Sequence, residues 1–486
     1  MPYASWLQVL TLALALALAV SAAPARAETA VNLLQVSADP FTNPDSQHRT
    51  QVEPDTFAWG DTLVAAFQTG RYFDGGASDI GFATSTDGGA TWAQGFLPGI
   101  TKHFGGGPFD RASDPVVAYS AKHNTWMISS LGLAEGAFSN VTVLNSLSTD
   151  GGLTWSAPFL VNSQGSPDKN WVVCDNTPTS PFYGNCYTQW DDYSQGNRIY
   201  LSTSTDGGRT WGPRRAPANQ ASGIGGQPIV QPNGTVIVPM VNFFGTAIQA
   251  FRSTDGGASW SATVRVAALR THTVAGGLRA PALPSAEVDA QGRVYVAWQD
   301  CRFRSDCSAN DIVISTSADG IAWTPVRRVP IDPTTSGVDH FIPGLAIDRT
   351  TAVPNTRIGL TYSYYPNASC SASTCQLYVG YVSSTDTGRT WSGPTTLAGP
   401  MGLSWLPDTN QGRMFGDYLS TSWVNGVAYA VFPVARPPAG GLFDVAMYAP
   451  VGGLPALPAL VPLREDEPVL SVRSDQPVSI LPPTAR

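Results

Sequence analysis

Ser85-Thr86-Asp87-Gly88-Gly89-Ala90-Thr91-Trp92 is a phrase to which this chain returns five more times, at residues 148–155, 204–211, 253–260, 317–323 and 384–391. The aspartates stand at 87, 150, 206, 255, 319 and 386, so neighbouring copies lie 63, 56, 49, 64 and 67 residues apart. A period of that length means one supersecondary unit built again and again. Asp-Gly and Gly-Gly supply a tight turn with positive φ. The aspartate can accept hydrogen bonds from the turn's own N–H groups, and the tryptophan can fold over the hairpin and bury a large apolar area.

Working outward from each turn, alternating apolar runs read as strands. The strand before the turn is read at 79–85, 141–148, 198–204, 247–253, 311–317 and 377–384. A second precedes it at 62–68, 125–131, 185–190, 235–241, 293–299 and 357–362. A third comes earlier still, at 54–59, 115–119, 171–175, 227–231, 282–288 and 341–347. One more short strand follows each turn. Four strands of this kind make one antiparallel sheet. A seventh unit, at 415–423, 426–433 and 443–448, has only three strands, and residues 32–37 resemble the strand that follows every turn. The expectation is therefore all-β, a seven-bladed β-propeller of four-stranded blades whose N-terminal strand completes the last blade. Six blades is the alternative, with one of the first three units as an irregular insertion.

Composition agrees. The chain has 486 residues, 48 of them Gly and 39 Pro, with 43% hydrophobic and 13% charged. That supplies many turns, a large core and few helices. A formal charge of −8 without a Lys/Arg run argues against nucleic acid as a partner. Residues 7–20 form a short apolar run and Ala25-Arg26-Ala27 fits a small-x-small cleavage site. The reading is a signal peptide over 1–27, a propeller domain over 28–449 and a Pro-rich extended tail over 450–486, in a secreted protein with no stable membrane insertion that acts as a monomer. Six cysteines fall into three close pairs, Cys174/Cys186, Cys301/Cys307 and Cys370/Cys375. Fifteen connectivities are open to six cysteines, and local pairing as loop staples is the one expected here. With five histidines and no Cys-x-x-Cys or His-x-x-x-His phrase, catalytic zinc is not expected. No cofactor is called for; loop carboxylates leave room for a structural calcium ion.

The turn phrase is the Asp-box, or bacterial neuraminidase repeat, and over residues 31–449 the chain resembles the sialidase superfamily of secreted propellers. That resemblance implies three arginines clamping a substrate carboxylate, an aspartate acid/base and a tyrosine nucleophile polarised by a glutamate. An arginine fork meets a carboxylate with two bonds, and a tyrosine nucleophile is the known exception to the two-carboxylate rule of glycosidases. Carried over residue by residue, the match is partial. Where the family has its first arginine this chain has Gln51-Val52-Glu53-Pro54, with Arg49 two residues early; residues 63–71 lead to Arg71. Asp74 and Asp79 are candidates for the acid/base. Where the second arginine is due stands Gln299, followed by Asp300 and Arg302. Arg413 and Tyr418 match the third arginine and the nucleophile, and Glu287 is a loose candidate for its partner.

Propeller geometry also places these residues together. The face opposite the turn phrases gathers the starts of inner strands and the ends of second strands. It should hold Glu53, Arg71, Asp74, Asp114, Asp168, Lys169, Trp171, Asp191, Arg279, Asp300, Arg302, His340, Arg413, Asp417 and Tyr418, among others. From this set Asp74, Tyr418, Glu53 and Asp417 are the candidate catalytic residues. Arg71, Arg302, Arg413, Arg279, Asp300 and Trp171 are the candidate substrate contacts. Carboxylates and arginines converging on one funnel suit an acidic sugar. The readings to separate are a sialidase-like hydrolase acting on terminal acidic sugars of glycans, another carbohydrate-active propeller such as a polysaccharide lyase, and a propeller that binds glycans or proteins without catalysis.

Overall fold

The computed structural model describes residues 31–134, 141–458 and 461–462. Residues 1–27, read above as a signal peptide, lie outside them, as does most of the stretch after 458. Helix among the described residues is confined to four three-residue 3-10 turns. Everything else regular is strand, and apart from the parallel pairing of Leu278–Arg279 with Arg413–Met414 the strands form successive antiparallel sheets in the order read from the sequence. The first repeat is Gln47–Trp59, Thr62–Arg71, Ala77–Ser85 and Ala93–Phe96. The sixth is Asp339–Ile347, Ile358–Tyr365, Gln376–Ser384 and Thr395–Gly402. In the third, the expected outer strand near 213–216 is reduced to a single bridge between Leu201 and Arg215.

The seven innermost strands begin at Gln47, Arg111, Pro167, Ile229, Ser285, Asp339 and Ser420. Each lies against the next, and the last lies against the first. Leu33–Gln35 pairs antiparallel with Val445–Pro450, Leu34 opposite Ala449. The chain keeps pairing beyond residue 449, first with the last sheet and then with the sixth Asp-box turn. Leu454–Pro455 pairs with Val427 and Ala428, Leu454 is buried, and Val461–Pro462 pairs with Thr390 and Trp391. A proline-rich composition is compatible with short edge strands, which need few ladder donors.

The Asp-box turns are built as their residue types require. Asp87 Oδ1 accepts from the backbone N–H of Ala90 (3.1 Å) and Thr91 (2.9 Å), and Thr91 Oγ1 donates to Oδ2 (2.6 Å). The Trp92 indole N–H closes the turn on the Gly89 carbonyl at 3.2 Å. Gly89 has φ +87°, and a Cβ there would lie 2.4 Å from the Tyr429 ring, so only glycine fits. The tryptophans of the second, fourth and sixth copies are buried, Trp391 completely. Because Asp386 satisfies Arg389 N–H, Thr390 N–H, Thr390 Oγ1 and Ser384 Oγ together, Asp386→Ala is expected to cost about 1 kcal/mol, as for loss of a helix cap. Thermal unfolding would read this as a lowered midpoint.

The first, second, third and sixth inner strands start earlier than expected, because they run through a bulge, whereas the fourth and fifth start a little later, at Ile229 and Ser285. Glu53, Asp114, Lys169 and Ile342 have φ of +54°, +48°, +45° and +49°, and the pairing register shifts at each of these places. A left-handed residue inside a strand is costly for anything but glycine. A bulge re-aims a side chain, and at three of these four positions the side chain is charged. Inner strands and the strands before the Asp-box turns run in the same direction. The C-terminal ends of the inner strands therefore share a side with the Asp-boxes, and the bulges lie towards the other side.

All three disulfides join local pairs, Cys174–Cys186, Cys301–Cys307 and Cys370–Cys375. The first joins the end of Pro167–Cys174 to the start of Cys186–Asp192 and so staples the loop between two paired strands.

Candidate active site

The bulges bring charges from several repeats to one place. Lys169 Nζ lies 3.0 Å from Glu53 Oε1, 2.6 Å from Asp417 Oδ2 and 3.5 Å from Asp114 Oδ1, and all four side chains are nearly inaccessible. Arg279 grips Asp417 with two bonds, Nε to Oδ1 at 2.6 Å and Nη2 to Oδ2. Arg71 Nη1 reaches the Gly76 carbonyl (2.5 Å) and Gln68 Oε1 (3.3 Å), and the Gln68 amide donates to Glu53 Oε2. Asp168, half-buried, borders the same cluster. Four carboxyls thus face three cations, so neutrality requires one carboxyl to keep its proton. Glu53 is the one that burial pushes up to about 8, against the pull of Lys169. Arg279 and Lys169 hold Asp417 well below the usual carboxylate range despite its burial. Burial first, and then the Asp114 charge, push Asp168 up to about 6.

Two cavities meet over this cluster. One has a volume of 440 Å³, with Tyr193, Phe243, His272, Leu278 and Gln299 in its walls; the other is a 60 Å³ slot bounded by Glu53, Arg71, Asp74 and Asp114. Asp168, Lys169, Tyr193, Arg279, Asn410 and Gln411 belong to both. Behind Asp168, across the strand pair, stands Asp191, fully buried, with Asn197 Nδ2 on Oδ2 at 2.6 Å. Burial and the Asp168 charge hold Asp191 well above its ordinary range.

The structure brings Glu53, Arg71, Asp74, Arg279 and Asp417 together as expected and leaves other candidates outside. Asp300 and Arg302 clasp each other with two bonds, and Arg302 also binds the Ala268 carbonyl, so this pair braces its own loop. Arg413 turns to the Leu406 carbonyl (2.9 Å) and Asp408 (3.8 Å). Arg49 pairs with Asp444 at 3.5 Å. Asp79 is buried and takes the Ile80 N–H. Trp171 packs edge-on against Tyr418, ring centres 5.3 Å apart. Tyr418 is buried, donates to the Pro115 carbonyl at 3.1 Å and lies 5.8 Å from Lys169 Nζ. Burial, then Glu53 and Asp114, hold its phenol well above the usual range. Glu287 lies at the other end of the inner strands, paired with Arg349 at 3.1 Å. Asp168 and Lys169 were expected on this face but not among the catalytic or substrate-contact residues, and Asn410 and Gln411 were not singled out. The left-handed bulge at Lys169 is the feature that brings the first two into the site.

Asp311, Asp332 and His340 have the mutual spacing of a metal set. Arg304 and Arg328 both pair with Asp311 and Asp332 at 2.6–2.9 Å. Two guanidiniums already supply the charge that a divalent ion would bring.

Near the axis, Asp55 accepts the Val117 N–H at 2.7 Å, and burial pushes it up to about 7 from 3.8. The folded state therefore binds a proton that the unfolded state has lost between about pH 4 and pH 7. Stability should fall as pH rises through that window, by roughly 1.4 kcal/mol per pH unit while the group titrates. Glu53 adds in the same direction up to about pH 8. Calorimetric unfolding from pH 5 to 8 should show a falling midpoint, and Asp55→Asn should flatten the slope; a rising midpoint would contradict this.

Comparison with known proteins gives three findings. Residues 132–361 match the BNR repeat-like domain family. A sialidase of Bacteroides fragilis (strain YCH46) is 28% identical over 159 residues, 27% of this chain and 28% of the relative, so the match spans little more than a quarter of that protein. Among solved structures, an ulvan lyase of a polysaccharide lyase family superposes with TM-score 0.51 at 11% identity, covering 86% of this chain and 95% of that one. The Trypanosoma rangeli sialidase, with sialic acid bound, gives TM-score 0.44 at 12% identity, covering 87% and 57%. Among the described residues no helix is long and apolar enough to cross a membrane.

Proposed function

We propose that this chain, whose repeats resemble those of the Asp-box propellers of the sialidase superfamily, is a secreted carbohydrate-active enzyme that cleaves the glycosidic bond of an acidic sugar in the cavity over the bulges. The observation that carries this is Asp168. It is a half-buried carboxyl in the walls of both cavities, pushed up to about 6 by burial, beside Lys169 and Arg279. A carboxyl poised there can protonate a leaving oxygen near neutral pH. Lys169 and Arg279 offer N–H donors to a sugar carboxylate. Seven blades, closed by the pairing of Leu33–Gln35 with the final sheet, form the scaffold of this reading.

The finer reading is exo-sialidase activity, favoured by the family and by the approach of Arg71, Arg279 and Tyr418. It requires Tyr418 to leave the Pro115 carbonyl. Release of fluorophore from 4-methylumbelliferyl glycosides of N-acetylneuraminic, glucuronic and iduronic acids tests both readings. Cleavage of an acidic but not a neutral glycoside supports the proposal, and cleavage of neutral glycosides alone overturns it. On a 4-linked uronate polysaccharide, an ultraviolet-absorbing unsaturated uronate as product, formed by loss of the C5 proton and the C4 oxygen substituent instead of by addition of water, would make the enzyme a lyase.

A further inference from the structure

A second and larger cavity, 840 Å³, opens where the inner strands end, on the Asp-box side. Its walls come from the ends of inner strands of several repeats, at Phe57–Gly60, Val173–Cys174, Val230, Val288 and Ala346–Ile347, together with Trp423 of the last. The reaction proposed above uses none of these residues, and the case for this cavity rests on its own geometry.

The lining is aromatic and polar in a particular arrangement. Trp59 is 38% exposed at the rim, a large apolar surface in contact with water. Arg349 lies over the Phe57 ring at 5.4 Å and is held by Glu287 at 3.1 Å. Arg357 lies over the Trp423 ring at 5.9 Å and is held by Asp348 at 2.6 Å. The Trp423 indole N–H is buried and has no acceptor among the described residues. Both guanidiniums are about one-third exposed, at 36% and 34%, so each keeps N–H groups for a ligand.

A guanidinium locked to a carboxylate presents donors and acceptors side by side with little net field. Such pairs select neither an anion nor a cation. The exposed Trp59 ring takes apolar C–H surface. A molecule with hydroxyls around its edge and C–H groups on its face meets both demands, and the volume exceeds what one ring needs. We propose that this mouth is a second carbohydrate site, holding a short run of neutral sugar residues at the end of the axis opposite the cleavage site.

Isothermal titration of the full chain with N-acetyllactosamine, cellotetraose and galactotetraose tests this. At least one probe is expected to bind saturably, and Trp59→Ala and Arg349→Met are expected to weaken it about tenfold or more. Asp168→Asn is expected to leave it unchanged. Trp59 is at the surface, and an unaltered thermal midpoint checks that its variant is folded. No saturation by any probe up to roughly 10 mM, or binding that is lost in Asp168→Asn and kept in Trp59→Ala, overturns the proposal. The first variant reports on the cleavage site and the other two on this mouth, so the two readings fail separately.

Discussion

Asp168→Asn is expected to lower kcat on the cleaved acidic glycoside by two to four orders of magnitude, the range that a positioned proton donor contributes. The amide keeps the shape and the Lys169 N–H contact to the side chain at 2.9 Å but has no acid proton to give. KM should change much less, because the loss falls on the transition state. The wild-type rate should decline above about pH 6 as Asp168 ionises, and that limb should vanish from the residual activity of the variant. Asp74→Asn should cost far less, since Asp74 sits at the rim with half its side chain exposed and is paired with Arg111 at 2.5 Å. If Asp168→Asn keeps more than about a tenth of the activity while Tyr418→Phe abolishes it, the tyrosine route of the family is the operating one.

Lys169→Met is expected to destabilise the fold by about 3–5 kcal/mol, the cost of removing one partner from a buried ion cluster. Glu53, Asp114 and Asp417 would then share Arg279 and Arg71 alone, with no water to solvate the surplus. The loss should depend on pH. At pH 5 the orphaned carboxyls can take up protons at little cost, and at pH 8 they cannot, so the variant should lose stability with rising pH more steeply than wild type. Urea unfolding at the two pH values measures this. Adding Glu53→Gln to Lys169→Met should recover part of the loss at pH 8, because it removes one of the unpaired acids. Equal losses at both pH values would mean that the lysine acts through packing alone.

Much of the architecture could be read from the chain because its signals are local. Asp87, Gly88, Gly89 and Trp92 close their turn almost entirely among themselves, so the phrase specifies the hairpin wherever it occurs. Period-2 alternation then places the strands on either side. The pairing of residues 33–35 with the last sheet could be read for the same reason, since the final unit lacked a strand and these residues looked like one.

The site is less legible, because its residues depend on neighbours far away in sequence. Glu53-Pro54 and Asp114-Pro115 look like strand starts, yet both are bulges inside strands, and their left-handed backbone turns the charges to the axis. Lys169 meets partners 116 residues before it and also Asp417, which no local pattern encodes. Arg302 shows the opposite error. Placed by analogy in an arginine clamp, it pairs two residues away with Asp300 because that partner is always within reach. Resemblance to the superfamily located the face and the scaffold, while the charges that fill it follow this chain's own bulges.

The most direct test is a crystal structure of the Asp168→Asn protein soaked with the acidic sugar that the wild-type enzyme releases. The sugar is expected in the 440 Å³ cavity, its carboxylate towards Lys169 and Arg279 and its anomeric oxygen within hydrogen-bond reach of residue 168. A sugar bound in the Asp-box mouth alone, or against Arg302 and Arg413, would contradict the account.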